Sequence, residues 1–261
     1  MTRSTKTAGT RRIDVNCDLG EALDAPGGWR GGHEPALLPL ISSANVACGG
    51  HAGDARSMRE VCAMAVQHGV RIGAQVSYPD REHFGRRALD IATPLLAESL
   101  EEQFSDLVAA AAEVGGRVAY VKPHGALYNA VVTRDDHAAV VVELAARHGV
   151  SLFGLHGSRT AARALTLGVR FEREWFADRA YLADGTLTPR SEPGALVVDA
   201  AAVAARTTRA VSDGHTVALD GALISTAFDT ICVHSDTPGA AELLAAVRAA
   251  VLATGATIGA A

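Results

Sequence analysis

The sequence predicts an α/β chain, a barrel of seven β/α units, on three observations. Short apolar runs alternate with longer Ala-rich amphipathic runs, the pattern of parallel strands joined by helices. The chain has 261 residues, close to the ~250 that such barrels commonly use as one domain. Polar residues able to do chemistry fall at or just after the apolar cores, the end of a parallel barrel where loops build a site.

Seven strands are expected over residues 13–19, 43–47, 71–76, 118–122, 151–155, 170–174 and 230–234, each short and rich in apolar residues. Six helices are expected over 54–68, 94–114, 134–148, 158–167, 199–212 and 238–253. Asp54, Thr133 and Ser158 suit N-caps, Pro94 and Pro238 suit first turns, and Asp135 and Asp136 place negative charge where the helix dipole favours it. Gly69, Gly115, Gly149 and Gly168 stand where helices should stop. Residues 216–228 read as a hairpin turning at Asp220-Gly221. Residues 1–11 read as a loose N-terminal tail, leaving 12–261 as a single barrel domain.

Hydrophobic residues make up 48% and charged ones 20%, enough apolar surface for a sizeable core and too little charge for a disordered chain. The 29 acidic against 24 basic residues give a net charge of −5, the wrong sign for a nucleic-acid backbone binder. No run approaches the ~20 apolar residues of a membrane helix, and the N-terminus lacks the apolar core of a secretion signal. A soluble, cytoplasmic protein acting on a small molecule is expected. Cys17, Cys48, Cys62 and Cys232 form no CxxC pair and are expected to be reduced, packing residues. Neither a dinucleotide fingerprint nor a P-loop occurs.

Strand alternation turns Asn16 and Asp18 to the same side, toward the barrel mouth, where Asp18 can act as a base or else cap a loop. After the second strand, with Asn45 on it, Gly49-Gly50 permits a sharp turn that delivers His51 and Asp54, the latter also suited to cap a helix. The third strand leads to Tyr78 and Arg86. Lys122-Pro123-His124 puts a cation and an imidazole at the fourth strand end, suited to an oxyanion or a phosphate, unless Lys122 serves a structural ion pair; Asn129 follows. Asp178-Arg179 and His234-Ser235-Asp236 end the sixth and seventh strands, and Arg86, Arg87, Arg179 and Arg190 can clamp anions. The catalytic candidates are therefore Asp18, His51, Lys122, His124, His234 and Asp236. The substrate-binding candidates are Asn16, Asn45, Asp54, Tyr78, Arg86, Asn129, Asp178 and Arg179. Asp18, His51, Asp54, His124, His234 and Asp236 are also types that hold zinc or manganese, but no HExxH-like spacing assigns any of them as a ligand.

Several long stretches carry a family resemblance: Asp14-Val15-Asn16-Cys17-Asp18-Leu19-Gly20-Glu21, residues 43–54, Ser77-Tyr78-Pro79-Asp80 with Phe84-Gly85-Arg86, residues 121–129, Phe176-Ala177-Asp178-Arg179, Pro189-Arg190-Ser191 and Cys232-Val233-His234. In this order, over nearly the whole chain, they resemble the LamB/YcsF family. The resemblance implies a distorted seven-unit barrel similar to the glycoside hydrolase/deacetylase architecture. It also implies ATP-dependent hydrolytic opening of 5-oxo-L-proline to L-glutamate, in a complex with 5-oxoprolinase B and C subunits that supply part or all of the ATP chemistry. On that reading Asp18 or His51 activates water, Lys122 and His124 stabilise oxygen charge, and an arginine holds the substrate carboxylate. Gln75-Val76 stands where the family often has His-Pro, Gly50 where an aromatic residue often precedes the histidine, and Ser235 where Gly is common. The competing readings are a metal-dependent deacetylase or carbohydrate hydrolase on a similar barrel, and a non-catalytic subunit that binds a lactam.

Overall fold

A computed structural model describes residues 11–22 and 26–260. In chain order the elements are β1 (Arg12–Leu19), β2 (Ser43–Ala47), α1 (Ala55–His68), β3 (Arg71–Val76), α2 (Thr93–Glu113), β4 (Val118–Pro123), α3 (Gly125–Thr133), α4 (Asp135–His148), β5 (Ser151–Leu155), α5 (Arg159–Leu167), β6 (Phe171–Phe176), α6 (Ala200–Asp213), β7 (His215–Val217), β8 (Leu223–Ser225), β9 (Thr230–Cys232), α7 (Ala240–Ala253) and β10 (Thr257–Ile258). Strands β1 to β6 and β9 pair in parallel, and β9 pairs back onto β1, closing a seven-stranded barrel. The α/β barrel of the sequence reading is the observed architecture, and β7–β8 is its hairpin. Residues 1–10 of the expected tail lie outside the described residues. Arg11 is tied down, its guanidinium donating to the carbonyls of Val211 and Phe228. Among the described residues no helix is long and apolar enough to cross a membrane.

Outward-facing strand residues such as Val15, Val46, Ala74, Val121 and Ile231 are fully buried in the hydrophobic layer under the helices. The alternate, inward residues are unusually polar for a barrel, whose interior is normally filled by branched apolar side chains. Asp14, Asn16 and Asp18 share this interior with Asn45, Lys122, Glu174 and Thr230, all buried. Asp14 accepts hydrogen bonds from Ser42, Ser43 and Thr230, and Thr230 accepts from Asn16. Gly73 is required there: a Cβ would sit 2.1 Å from the ring of Tyr120, whose hydroxyl donates to Asn45 Oδ1 at 2.7 Å. Buried polar groups satisfied by one another hold the barrel in a single register while their outward neighbours supply the apolar burial.

Local signals set most helix ends. Asp54 forms a capping box with Ser57, accepting from its backbone N–H at 2.7 Å while the Ser57 hydroxyl accepts from the Asp54 N–H. Asp54→Ala should therefore lower stability by about 1 kcal/mol with little effect on activity, a loss measurable by denaturant unfolding. Ser158 caps α5, and Gly69, Gly149 and Gly168 end α1, α4 and α5. Two start signals are corrected. Thr133 is the last residue of α3, not the cap of α4, which begins after Arg134. Pro238 precedes α7, whose cap is Gly239 with φ 75°. Helix α3 was not expected from the sequence, because its nine residues GALYNAVVT carry too few polar positions to show a periodic face.

Candidate active site

A cavity of about 390 Å³ opens at the C-terminal ends of the barrel strands. Asp18, Glu21, Arg86, Lys122, His124, Asn129, Tyr128, Phe176, Arg179, Arg190, His234 and Asp236 line it. A larger hollow of about 810 Å³ lies at the opposite end, around the C-terminal glycines of several helices. Its ion pair Arg71–Glu172 is closed on itself, the guanidinium donating to both carboxylate oxygens at 2.9 and 3.1 Å. The strand C-terminal cavity is where the chemistry-bearing groups converge.

Strand β4 carries Lys122 into the barrel, where its ammonium lies 2.9 Å from Asp18 Oδ1, 3.2 Å from Glu174 Oε1 and 3.2 Å from Cys232 Sγ. Burial would depress the lysine, but Asp18, Cys232 and Glu174 reverse this and hold it well above its ordinary value. Burial likewise pushes Asp18 up, and the Lys122 and His234 charges with hydrogen bonds from Lys122 and Asn45 pull it below the usual carboxylate range. Lys122 is thus the counter-ion of two buried carboxylates, with its protons engaged. Asn16 and Asn45 lie beneath the cavity in this network rather than on its wall; Asn45 donates to Asp18 at 2.8 Å.

At the rim, His234 extends from the end of β9. Its Nδ1 lies 3.0 Å from Asp178 Oδ2, and the same carboxylate accepts from the His234 backbone N–H at 3.0 Å and from the Thr237 hydroxyl at 2.6 Å. A carboxylate only accepts, so Nδ1 carries a proton and Nε2 is left to face the cavity. Burial pushes Asp178 up, but His234 and these donors hold it far below the usual carboxylate range. Asp178, fully buried, is therefore a support for His234 and not a wall of the cavity. Asp236 sits beside it, paired with Arg86 and, at 2.8 Å, with Arg190. Arg179 lies behind them, donating to the carbonyls of Thr188 and Ala195.

Glu21 and His124 on the opposite wall form a second cluster with His51, which is buried and does not itself line the cavity. His51 and His124 stack with ring centroids 3.7 Å apart and planes 9° from parallel. Glu21 Oε1 lies 2.9 Å from His51 Nε2, and Gln75 Nε2 lies 2.9 Å from both Glu21 Oε1 and His124 Nδ1. His124 Nε2 is 3.1 Å from the Phe84 carbonyl, so it must donate there and Nδ1 must accept from the Gln75 amide. Burial, with the nearby His51, keeps His124 well below its ordinary value. His124 is thus a neutral imidazole whose N–H is already used, an arrangement unlike the oxyanion donor that the sequence suggested. Phe84 adopts φ 55°, the one positive φ at a non-glycine among the described residues, with its ring edge-on to both imidazoles.

Two expected binding residues lie elsewhere. Asp54 is exposed at the start of α1 as its cap, and Tyr78 is buried with its hydroxyl 2.6 Å from His137 Nδ1. Arg86, Asn129 and Arg179 do line the cavity. The sequence reading names neither Glu21 nor Glu174 among the expected catalytic or binding residues. It gave no role to Glu34, which is buried and accepts from the backbone N–H groups of Gly20, Glu21 and Ala22 and from the Trp29 indole. Burial and the Glu21 charge lift Glu34 to about 7. The turn after β1, with Glu21 at its centre, is fixed from behind by this one carboxylate.

A profile of the LamB/YcsF family matches residues 13–261. The chain belongs to the LamB/YcsF family. Relatives named as the A subunit of 5-oxoprolinase include one from Mycobacterium avium (strain 104), 45% identical over 94% of this chain and 97% of its own. Another, from Streptomyces coelicolor, is 47% identical over 95% of this chain and 99% of its own. Among solved structures, the lactam utilization protein of Thermus thermophilus superposes with a TM-score of 0.87 at 34% identity, covering 96% of this chain and all of that one. The T48 deacetylase, solved with substrate, shares the fold with a TM-score of 0.51 at 12% identity, over 98% of this chain and 92% of that one.

Within this LamB/YcsF chain, Glu21, His51 and His124 present one ligand atom each, all within 4.8 Å of one another, so the residue types suit a divalent metal. Their orientation does not. Zinc lies ~2.0–2.1 Å from a ligating nitrogen, along the lone pair and so near the ring plane. Two parallel rings 3.7 Å apart cannot both hold one ion in their planes, and the Gln75 amide nitrogen, a donor, occupies the space between Glu21 and His124. At position 75 this chain therefore supplies an amide that hydrogen-bonds the carboxylate and imidazole together.

Proposed function

We propose that this chain is the A-type component of a 5-oxoprolinase, opening the 5-oxo-L-proline ring to L-glutamate by ATP-dependent hydrolysis together with B and C subunits. The names of its relatives support the class. The observation that carries the chemistry is His234: its Nδ1 is held by buried Asp178 and its remaining nitrogen faces a cavity bordered by Arg86, Arg179 and Arg190. A lactam is a stable amide, and its nitrogen leaves only if it gains a proton as the bond to carbon breaks. An imidazole protonated on both nitrogens and held by a carboxylate is suited to that delivery. The arginines suit the substrate carboxylate. ATP makes the carbonyl a better target by phosphorylating its oxygen, and with no P-loop motif in this sequence the partners supply part or all of that step.

The direct test is 5-oxoproline-dependent release of ADP and glutamate by the purified chain, alone and with candidate B and C proteins. Turnover is expected only in the mixture. A transition-metal chelator, with Mg-ATP kept in excess, is expected to leave that turnover unchanged, as the stacked imidazoles require. Inhibition by the chelator together with hydrolysis of acetylated sugars would favour the deacetylase reading instead.

A further inference from the structure

We infer that Glu21 is the general base that activates water in the ring opening, an assignment that rests on the lactam reading above. Three carboxylates line the cavity: Asp18, Glu21 and Asp236. Asp18 is bound to the Lys122 ammonium, and Asp236 to the guanidinium groups of Arg86 and Arg190. A carboxylate fixed against a permanent cation is a weak proton acceptor. Among the described residues Glu21 has no lysine or arginine partner; its partners are imidazole and amide groups.

The surroundings also fix how Glu21 presents itself. His51 and Gln75 both engage Oε1, and no described residue hydrogen-bonds Oε2, which is left for the cavity. Glu34 holds the N–H groups of residues 20–22, so the backbone beneath Glu21 cannot drift. In the step, a water oxygen bonds to the carbon of the O-phosphorylated ring carbonyl as Glu21 Oε2 takes one of its protons. The ring C–N bond then breaks, the nitrogen takes a proton from Nε2 of His234, which enters the step protonated on both nitrogens, and the carbon is left as the acyl phosphate of glutamate. Return of the proton from Glu21 to His234 through solvent resets the site, and a second water splits the acyl phosphate to glutamate and phosphate, so two waters are consumed for each ring opened and each ATP spent.

The experiment measures kcat and KM for 5-oxoproline in the reconstituted complex carrying Glu21→Gln and Glu21→Ala, with thermal melting as a control for folding. Glu21→Gln is expected to lower kcat by about 10²–10⁴-fold with little change in KM. Added formate is expected to restore part of the activity of Glu21→Ala in proportion to its concentration. Wild-type kcat in Glu21→Gln, or a folded Glu21→Ala that formate does not rescue, overturns the assignment. If both variants fail to fold, Glu21→Asp decides: lower kcat at unchanged KM supports the base, and wild-type kcat removes it. Failure of the wild-type complex to release glutamate overturns the lactam reading and the base with it, whereas an active wild type with an active Glu21→Gln overturns the base alone.

Discussion

Replacing His234 by Gln is expected to lower kcat of the reconstituted complex by about 10²–10⁴-fold, the usual contribution of a positioned general acid. The effect should fall on kcat more than on KM, because the protonated nitrogen matters only as the ring bond breaks. Asp178→Asn is the sharper companion. It keeps the ring and the pocket shape but replaces the buried carboxylate that holds the doubly protonated ring with a neutral amide, which removes the charge that supports the proton donor. Its kcat should therefore fall with that of His234→Gln, and the double variant should lose little more than either single one. Steady-state kinetics on the three complexes checks this, and additive losses would mean that the two residues do not act as one unit.

Lys122→Met is expected to destabilise the fold by about 3–5 kcal/mol, because it leaves Asp18 and Glu174 buried without their cation. The midpoint of urea unfolding would report the loss. Adding Asp18→Asn and Glu174→Gln to Lys122→Met removes the uncompensated charge and should recover much of it. The pair also sets a pH window. Asp18 is held below its unfolded value, so its contribution is present above about pH 4 and fades as pH falls through the lower folded value. Lys122 is held above its unfolded value, so its contribution is complete below about pH 10 and fades only as pH rises through the higher folded value. Stability should show this plateau in the wild type and not in the triple variant.

Asp18 and Lys122 show why part of the site was legible and part was not. Both were marked by their place at the ends of apolar strand cores, and the barrel does bring them to one cavity. Their partnership was invisible, since it joins β1 to β4 across 104 residues of chain. His234 and Asp178 are 56 residues apart, and only their meeting makes Asp178 a support for the imidazole instead of a ligand for substrate. Tyr78 and Asp54 looked like their neighbours in sequence. Each was already used, one by His137 and one by the first turn of α1.

Periodicity, turn residues and caps act over a few neighbours, so the chain order by itself determined the strands, most helix ends, the closed α/β architecture and the rim to which the polar residues would be delivered. Which proton sits on which nitrogen, which carboxylate has a fixed cation and which oxygen is left for water depend on groups brought together from distant strands. Hydrogen bonds and ion pairs are decided by approach to within about 3 Å, and only the folded barrel provides it.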